Sequence, residues 1–266
     1  MSDAHQGALV VAIANQKGGV GKTTTTFHLA RAAVNAGRRV LVVDLDPQAN
    51  LTMIAAKDDV KHDQVSVADV LSPRAEATVV EAVVEGAWPG LDVLPAVEET
   101  LAVVRDELVV AGAGRESRLR QALAKVQDDY DLILIDCPPA LDQLTINALT
   151  AADVVTIVTH AKLFSTKGVG GILRTIETVR EHYRRELRLA GIIVNHHESG
   201  TITGRERLGE LTDAGLTVFH PPMPKRAMVN DAAEAGYGLD QWGSADAQGL
   251  AAIYSDYLTT IEGARA

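Results

Sequence analysis

Three features of the sequence predict an α/β fold with a mostly parallel, twisted sheet flanked by helices on both faces. Short continuous apolar runs alternate with stretches of helical period almost throughout. Several of these runs end in Asp or Asn, as strands do where they present polar side chains at the ligand-binding edge of such a sheet. The first run leads through a glycine-rich loop directly into a helix.

LVVAIA, residues 9–14, is too continuous for a half-exposed strand and too short for a helix, so it reads as a strand buried on both faces. TTTTFHLARAAVNAG follows the loop with apolar residues at Phe27, Ala30, Ala33 and Val34, and Gly37 stands where a helix would stop. RRVLVVD (38–44) is the second strand and LDVLPA (91–96) the third. YDLILID (130–136) is the most strongly β-like run, and DVVTIVT (153–159), LAGIIVN (189–195) and LTVFH (216–220) complete the set. Residues 50–90 are the least regular part, with only short helical hints such as VADVL. Near the C-terminus, Leu250, Ile253, Tyr254, Tyr257, Leu258 and Ile261 form an apolar stripe. Its polar side carries Asp256 and Glu262 and only Arg265, which predicts a helix packed on the protein, not one with a basic face for a membrane.

At 266 residues, with no linker, repeat or low-complexity tract, the chain is expected to form one domain over 1–266. No signal pattern or run of about 20 apolar residues is present, which favours a cytoplasmic location. A single cysteine, Cys137, excludes an internal disulfide and a cysteine-rich metal site, and reads as a small buried residue. The net charge of −10 argues against a general polyanion binder, so any nucleic-acid contact must come from a local patch.

The loop, NQKGGVGKTT at 15–24, carries the chemistry. Glycines let backbone N–H groups turn inward on phosphate oxygens, and the helix start adds its positive dipole end. Gly18, Gly19, Val20, Gly21 and Thr24 would form the cradle, with Lys22 against the β- and γ-phosphates and the Thr23 hydroxyl on Mg²⁺. This makes the chain a single-domain P-loop NTPase. The usual spacing has glycine at position 16; here it is Gln16, and the departure comes with a second lysine, Lys17.

Phosphate chemistry needs a metal to neutralise charge and a group to orient the attacking water. Asp136, at the end of a strand and before CPP, is placed to join the Mg²⁺ shell. Asp46, in DLDPQAN, could meet water or metal, and Asp44 could fix that loop by hydrogen bonding. Singly, each aspartate could instead be a turn or cap residue. His196 and His197 cannot readily both face one ion, and solvent exposure is expected for them.

With NQKGGVGKTT, VVDLDPQANLT, YDLILIDCPPALDQLTINALTAAD and PKRAMVNDAAEAG together, the sequence resembles the ParA family of DNA-partition ATPases over nearly its whole length. That family belongs to the deviant-Walker-A group, which includes MinD and the nitrogenase iron protein. The resemblance implies that Lys17 reaches across a face-to-face homodimer to the phosphates of the partner's ATP, as an arginine finger does in trans. It also implies that Asp46 belongs to the first switch and supports hydrolysis, that Asp136 is the Walker B aspartate, and that Asn195 meets the adenine beside Pro222 and Pro224. ATP and Mg²⁺ are the implied cofactors. The implied partners are nonspecific DNA, bound on the nucleoid, and a ParB-like protein that stimulates hydrolysis. DNA-contact candidates are Arg205, Arg207, Lys225 and Arg226, and the run Arg180, Arg184, Arg185 and Arg188, which could equally be a solvated helix face. Met228 stands at about the place where many relatives carry arginine.

Two relatives within the group offer other readings. A MinD-like membrane cycler would need a basic amphipathic C-terminal helix, and an iron-protein reductase would need cluster cysteines. A family member positioning a protein cargo on the nucleoid stays open. The first strand begins near residue 9, so no N-terminal helix-turn-helix extension is expected within this sequence.

Overall fold

The computed structural model describes residues 7–160, 166–198 and 202–265. A seven-stranded sheet runs through the middle: β1 (Leu9–Ala14), β2 (Val40–Asp44), β3 (Val84–Glu85), β4 (Leu91–Leu94), β5 (Leu132–Asp136), β6 (Val154–His160) and β7 (Arg188–Asn195). Their order across the sheet is β3-β4-β2-β5-β1-β6-β7, all parallel except the short edge strand β3.

Why the strands read as continuous apolar runs is visible in β1. Val10, Ala12 and Ala14 enter one hydrophobic cluster and Leu9, Val11 and Ile13 the other, so no residue of the strand faces water. The second cluster is covered by α1 (Lys22–Asn35), α2 (Asn50–Ala55), α10 (Ala227–Glu234) and α11 (Ala245–Gly263). On the opposite face lie α3 (Val67–Leu71), α4 (Val79–Ala82), α5 (Glu98–Val110), α6 (Arg118–Leu123), α7 (Gln143–Ala151), α8 (Thr166–His182) and α9 (Ile202–Asp213). As the stripe predicts, α11 buries Leu250, Tyr254, Tyr257, Leu258 and Ile261 in the second cluster, packed chiefly on α1.

One of the strand expectations needs correction. LTVFH is not a full strand. Only Val218 forms a bridge, to Ile192, through the Ile192 N–H to Thr217 and the Phe219 N–H to Ile192. The next residues, Pro221 and Pro222, have no N–H with which to continue a ladder. The irregular stretch 50–90 holds three short helices and β3. VADVL is α3, started by a capping box in which Ser66 and Asp69 exchange bonds with each other's backbone.

Candidate active site

Parallel register brings the functional strand ends together. Ile13 of β1 lies opposite Asp136 of β5, and Asp136 opposite Asp44 of β2. The glycine-rich loop leaves β1 at this edge and enters α1 at Lys22.

Gly19 (φ 68°) and Gly21 (φ 86°) take the left-handed conformation that the turn requires. At Gly21 a side chain is excluded twice over, since a Cβ would stand 2.6 Å from Asn195 Nδ2. Gly21 is also the N-cap of α1, and no side chain caps that helix start. Its first-turn N–H groups therefore lack a side-chain acceptor, which is how a phosphate site is built. Gly18 and Gly19 are exposed at the rim, and Val20 is buried as the loop's anchor. The loop is braced from β1 by Asn15, whose Nδ2 donates to the Val158 carbonyl at 2.7 Å and whose Oδ1 accepts the Lys17 N–H at 3.1 Å. Lys22 is buried and turns its Nζ back to the Lys17 carbonyl at 3.3 Å. Lys17 itself is half-buried.

Thr23 Oγ1 donates to Asp136 Oδ2 at 2.6 Å, and Thr26 Oγ1 lies 3.4 Å from Asp136 Oδ1. Burial, reinforced by the nearby Asp44, pushes the Asp136 carboxyl up to about 8 against the pull of Thr23 and Lys22. Asp44, fully buried, is pushed up to about 6 by burial in spite of bonds from the Thr52 N–H and hydroxyl, both at 2.8 Å, and from the Asp46 N–H at 3.1 Å. The Asp136 carboxyl beside the Thr23 hydroxyl, with the buried Asp44 at the adjacent strand end, makes an acidic, oxygen-lined corner that a hard divalent cation fits. Such a cation would relieve the repulsion between the acids. Asp46 follows on the loop after β2, its carboxylate accepting the Gln48 N–H at 3.0 Å. Asp44 is thus the anchor of the Asp46 loop, and Thr52 is the residue that fixes Asp44. The sequence signal for Thr52 lay in ANLT, but only the fold shows its hydroxyl also accepting the Ala96 N–H at 2.9 Å.

Asn195, expected at the adenine, sits against the phosphate loop. Its Nδ2 donates to the Val20 carbonyl at 3.0 Å and to Thr25 Oγ1 at 3.2 Å. Pro222 and Pro224 are half-buried beside the end of β7, where the Met223 N–H bonds Val194 and the His197 N–H bonds Met223. The expected exposure of the histidine pair is wrong for His197, which is buried with its carbonyl accepting the Lys225 N–H. His196 is half-buried with its ring stacked on His160, centroids 4.2 Å apart, because the chain turns at His196 (φ 53°) to bring PPMP alongside. Among the described residues, no group of three potential ligands forms a metal site there.

Lys225 and Arg226 are exposed at the start of α10, Lys225 Nζ standing 3.7 Å from Glu198. Met228 packs against the core instead of facing solvent as a cation. Arg205 and Arg207 fall on α9, with side chains outside the described residues. The 180–188 arginines lie toward the opposite edge of the sheet from the phosphate loop, at the end of α8 and the start of β7. There Arg180 pairs with Glu177 at 2.6 Å and Arg184 with Asp153 at 2.6 Å, which favours the structural reading of that run.

Known proteins resemble this chain over most of its length. A family model described as AAA domain (AAA_31) matches residues 8–189. Sporulation initiation inhibitor protein Soj of Bacillus subtilis is 36% identical over 85% of this chain and 88% of its own length. Chromosome partitioning protein ParA of Caulobacter vibrioides is 37% identical over 85% and 84%. A crystal structure from Mycobacterium smegmatis, named cobyrinic acid a,c-diamide synthase and solved with an ATP analogue and magnesium, is 39% identical. It covers 85% of this chain and 91% of that one, with a TM-score of 0.76.

Proposed function

The chain belongs to the ParA/Soj-type ATPases of the AAA domain family, and from that membership we propose that it is an ATP-hydrolysing DNA-partition protein. In this reading it forms an ATP-bridged dimer, binds DNA without sequence preference and is released when a ParB-like partner stimulates hydrolysis. The observation that carries the ATPase half is the Thr23–Asp136 contact at the uncapped start of α1.

Bound Mg²⁺ and ATP would supply charge neutralisation at the β,γ-phosphates and the scissile bond. The chain's own residues do the rest. The loop N–H groups of 18–21 and the first turn of α1, with Thr24, orient the phosphates, and Lys22 gives up the Lys17 carbonyl to meet them. Thr23 and Asp136 hold the metal, and Asp46, presented by the Asp44 anchor, orients the attacking water. Lys17 serves the phosphates of the opposite subunit. Asn195 holds the loop from behind, and Pro222 and Pro224 border the base. Lys225 and Arg226, doubled in a dimer, are the DNA contacts best placed, with Arg205 and Arg207 as the second choice.

A reading taken from the synthase name is less well supported. Cys137, the chain's one cysteine, is fully buried and its thiol is pushed up by burial, so it supplies no nucleophilic thiolate for amide transfer. Membrane cycling through a C-terminal amphipathic helix is likewise disfavoured, because α11 spends its apolar face on the core. Cargo positioning on the nucleoid shares every residue of the proposed cycle and differs only in the partner. Steady-state ATP hydrolysis with and without duplex DNA and a ParB-like protein tests the proposal. Magnesium-dependent turnover raised by both together is expected, and absence of turnover in all conditions would reject it.

A further inference from the structure

Helix α1 begins at the phosphate loop and runs alongside α10, the helix that starts immediately after Lys225 and Arg226. Two side-chain bonds join them. Thr24 Oγ1, one residue beyond the Mg²⁺-site threonine, donates to Asn230 Oδ1 at 3.3 Å. One turn on, the buried ring of His28 has Nε2 2.8 Å from the Val229 carbonyl and packs at a tilt against the ring of Tyr254 of α11, centroids 5.0 Å apart. Burial holds that ring down to about 4, so it is neutral near pH 7 and Nε2–H is the donor. Val229 and Ala232 of α10 are buried, and Lys225 and Arg226 stand exposed immediately before its first turn.

We propose that Asn230 is a positioning residue that couples nucleotide occupancy to the Lys225–Arg226 turn, because its amide oxygen competes with a phosphate oxygen for the single hydroxyl hydrogen of Thr24. Thr24 has one hydrogen to give and lies in the first turn of α1, where phosphate oxygens are the alternative acceptors. Transfer of that hydrogen from Asn230 to a phosphate frees one tie on α10 while the His28–Val229 bond keeps the helix docked. The outcome is an adjustment of the basic turn, not its loss. By linkage, DNA held at the turn must change nucleotide affinity by the same factor. The inference rests on the proposed DNA-binding role of that turn.

The test compares the ratio of duplex-DNA Kd without nucleotide to that with ATP and Mg²⁺ in wild type, Asn230→Ala and Asn230→Asp. Dimerisation is followed by light scattering on the same samples. Asn230→Ala should dimerise normally with its ratio shrunken by roughly 2–10-fold, the weight of one net hydrogen bond. Asn230→Asp keeps the acceptor and should keep the ratio, although added negative charge weakens DNA binding in both states. The inference is overturned if Asn230→Ala matches the wild-type ratio, if it loses the dimer, or if Asn230→Asp behaves like the alanine variant. A wild type whose DNA affinity does not respond to ATP would overturn the proposed function, and this coupling with it.

Discussion

Thr52→Val removes the hydroxyl that anchors the Asp46 loop while keeping the shape of the side chain. In the fold that hydroxyl is buried, donates to Asp44 Oδ2 at 2.8 Å and accepts the Ala96 N–H at 2.9 Å. A bond to an ionised group is worth about 1.5–3 kcal/mol, and a stranded buried N–H costs about 1–3 kcal/mol. The two losses share one site and partly relax together, so a total of about 2–5 kcal/mol is expected. For a chain of this size that lowers Tm by roughly 4–9 °C. The loss should also depend on pH. Thr52 lowers an Asp44 pKa that burial raises to about 6, so the valine raises it further. A carboxyl with a raised folded pKa loses stability as pH rises through it, so the gap between variant and wild type should widen from pH 5 to pH 8. Urea melts at both pH values measure this. A variant within about 0.5 kcal/mol of wild type at pH 8, or a gap that narrows with rising pH, would refute the role given to Asp44 and Thr52.

Lys22→Ala should lose nucleotide binding in calorimetric titration, whereas Asp46→Ala should bind ATP and dimerise but turn over poorly; normal turnover by Asp46→Ala would remove it from the hydrolytic machinery. His28 should make acid destabilising. Its ring stays neutral in the fold down to about 4, while the unfolded chain takes up a proton below about 6.5. Stability is therefore lost as pH falls from 6.5 to 4, by up to about 3 kcal/mol, and the non-titrating His28→Gln should show a smaller acid loss in urea melts. For DNA, a dimer making about four phosphate contacts should give a slope of log K against log salt near −3 to −4. Lys225→Ala with Arg226→Ala should flatten it by about 2–4 units equally on any duplex sequence, and an unchanged slope would move the contact to Arg205 and Arg207.

The strand ends and the phosphate loop were legible because period and punctuation are local. LVVAIA is buried on both faces as its continuity implies, and Asp136 follows YDLILI onto the same edge as Lys22 and Thr23. Partnerships formed across the fold were not legible. Asn195 reads as a strand-end residue in sequence, yet its amide closes on Val20, 175 positions away. Thr24 with Asn230 and His28 with Val229 join helices separated by some 200 residues, and nothing in either segment alone announces the pairing. LTVFH carried a strand pattern that the two prolines after it stopped from extending. His197 looked exposed as half of a polar doublet, but its backbone is stitched to Met223 and Lys225, and that draws the ring inward.

The claim on which the proposed cycle depends is that ATP bridges two subunits through Lys17. Analytical ultracentrifugation of the slow-turnover Asp46→Ala protein, with and without Mg²⁺ and ATP, tests it when repeated with Lys17→Ala added. The account predicts a shift from the 28.2 kDa chain to twice that mass on adding ATP, and a Lys17→Ala protein that still binds ATP but stays at the monomer mass. A mass that ignores ATP, or a Lys17→Ala protein that dimerises as readily, would contradict it.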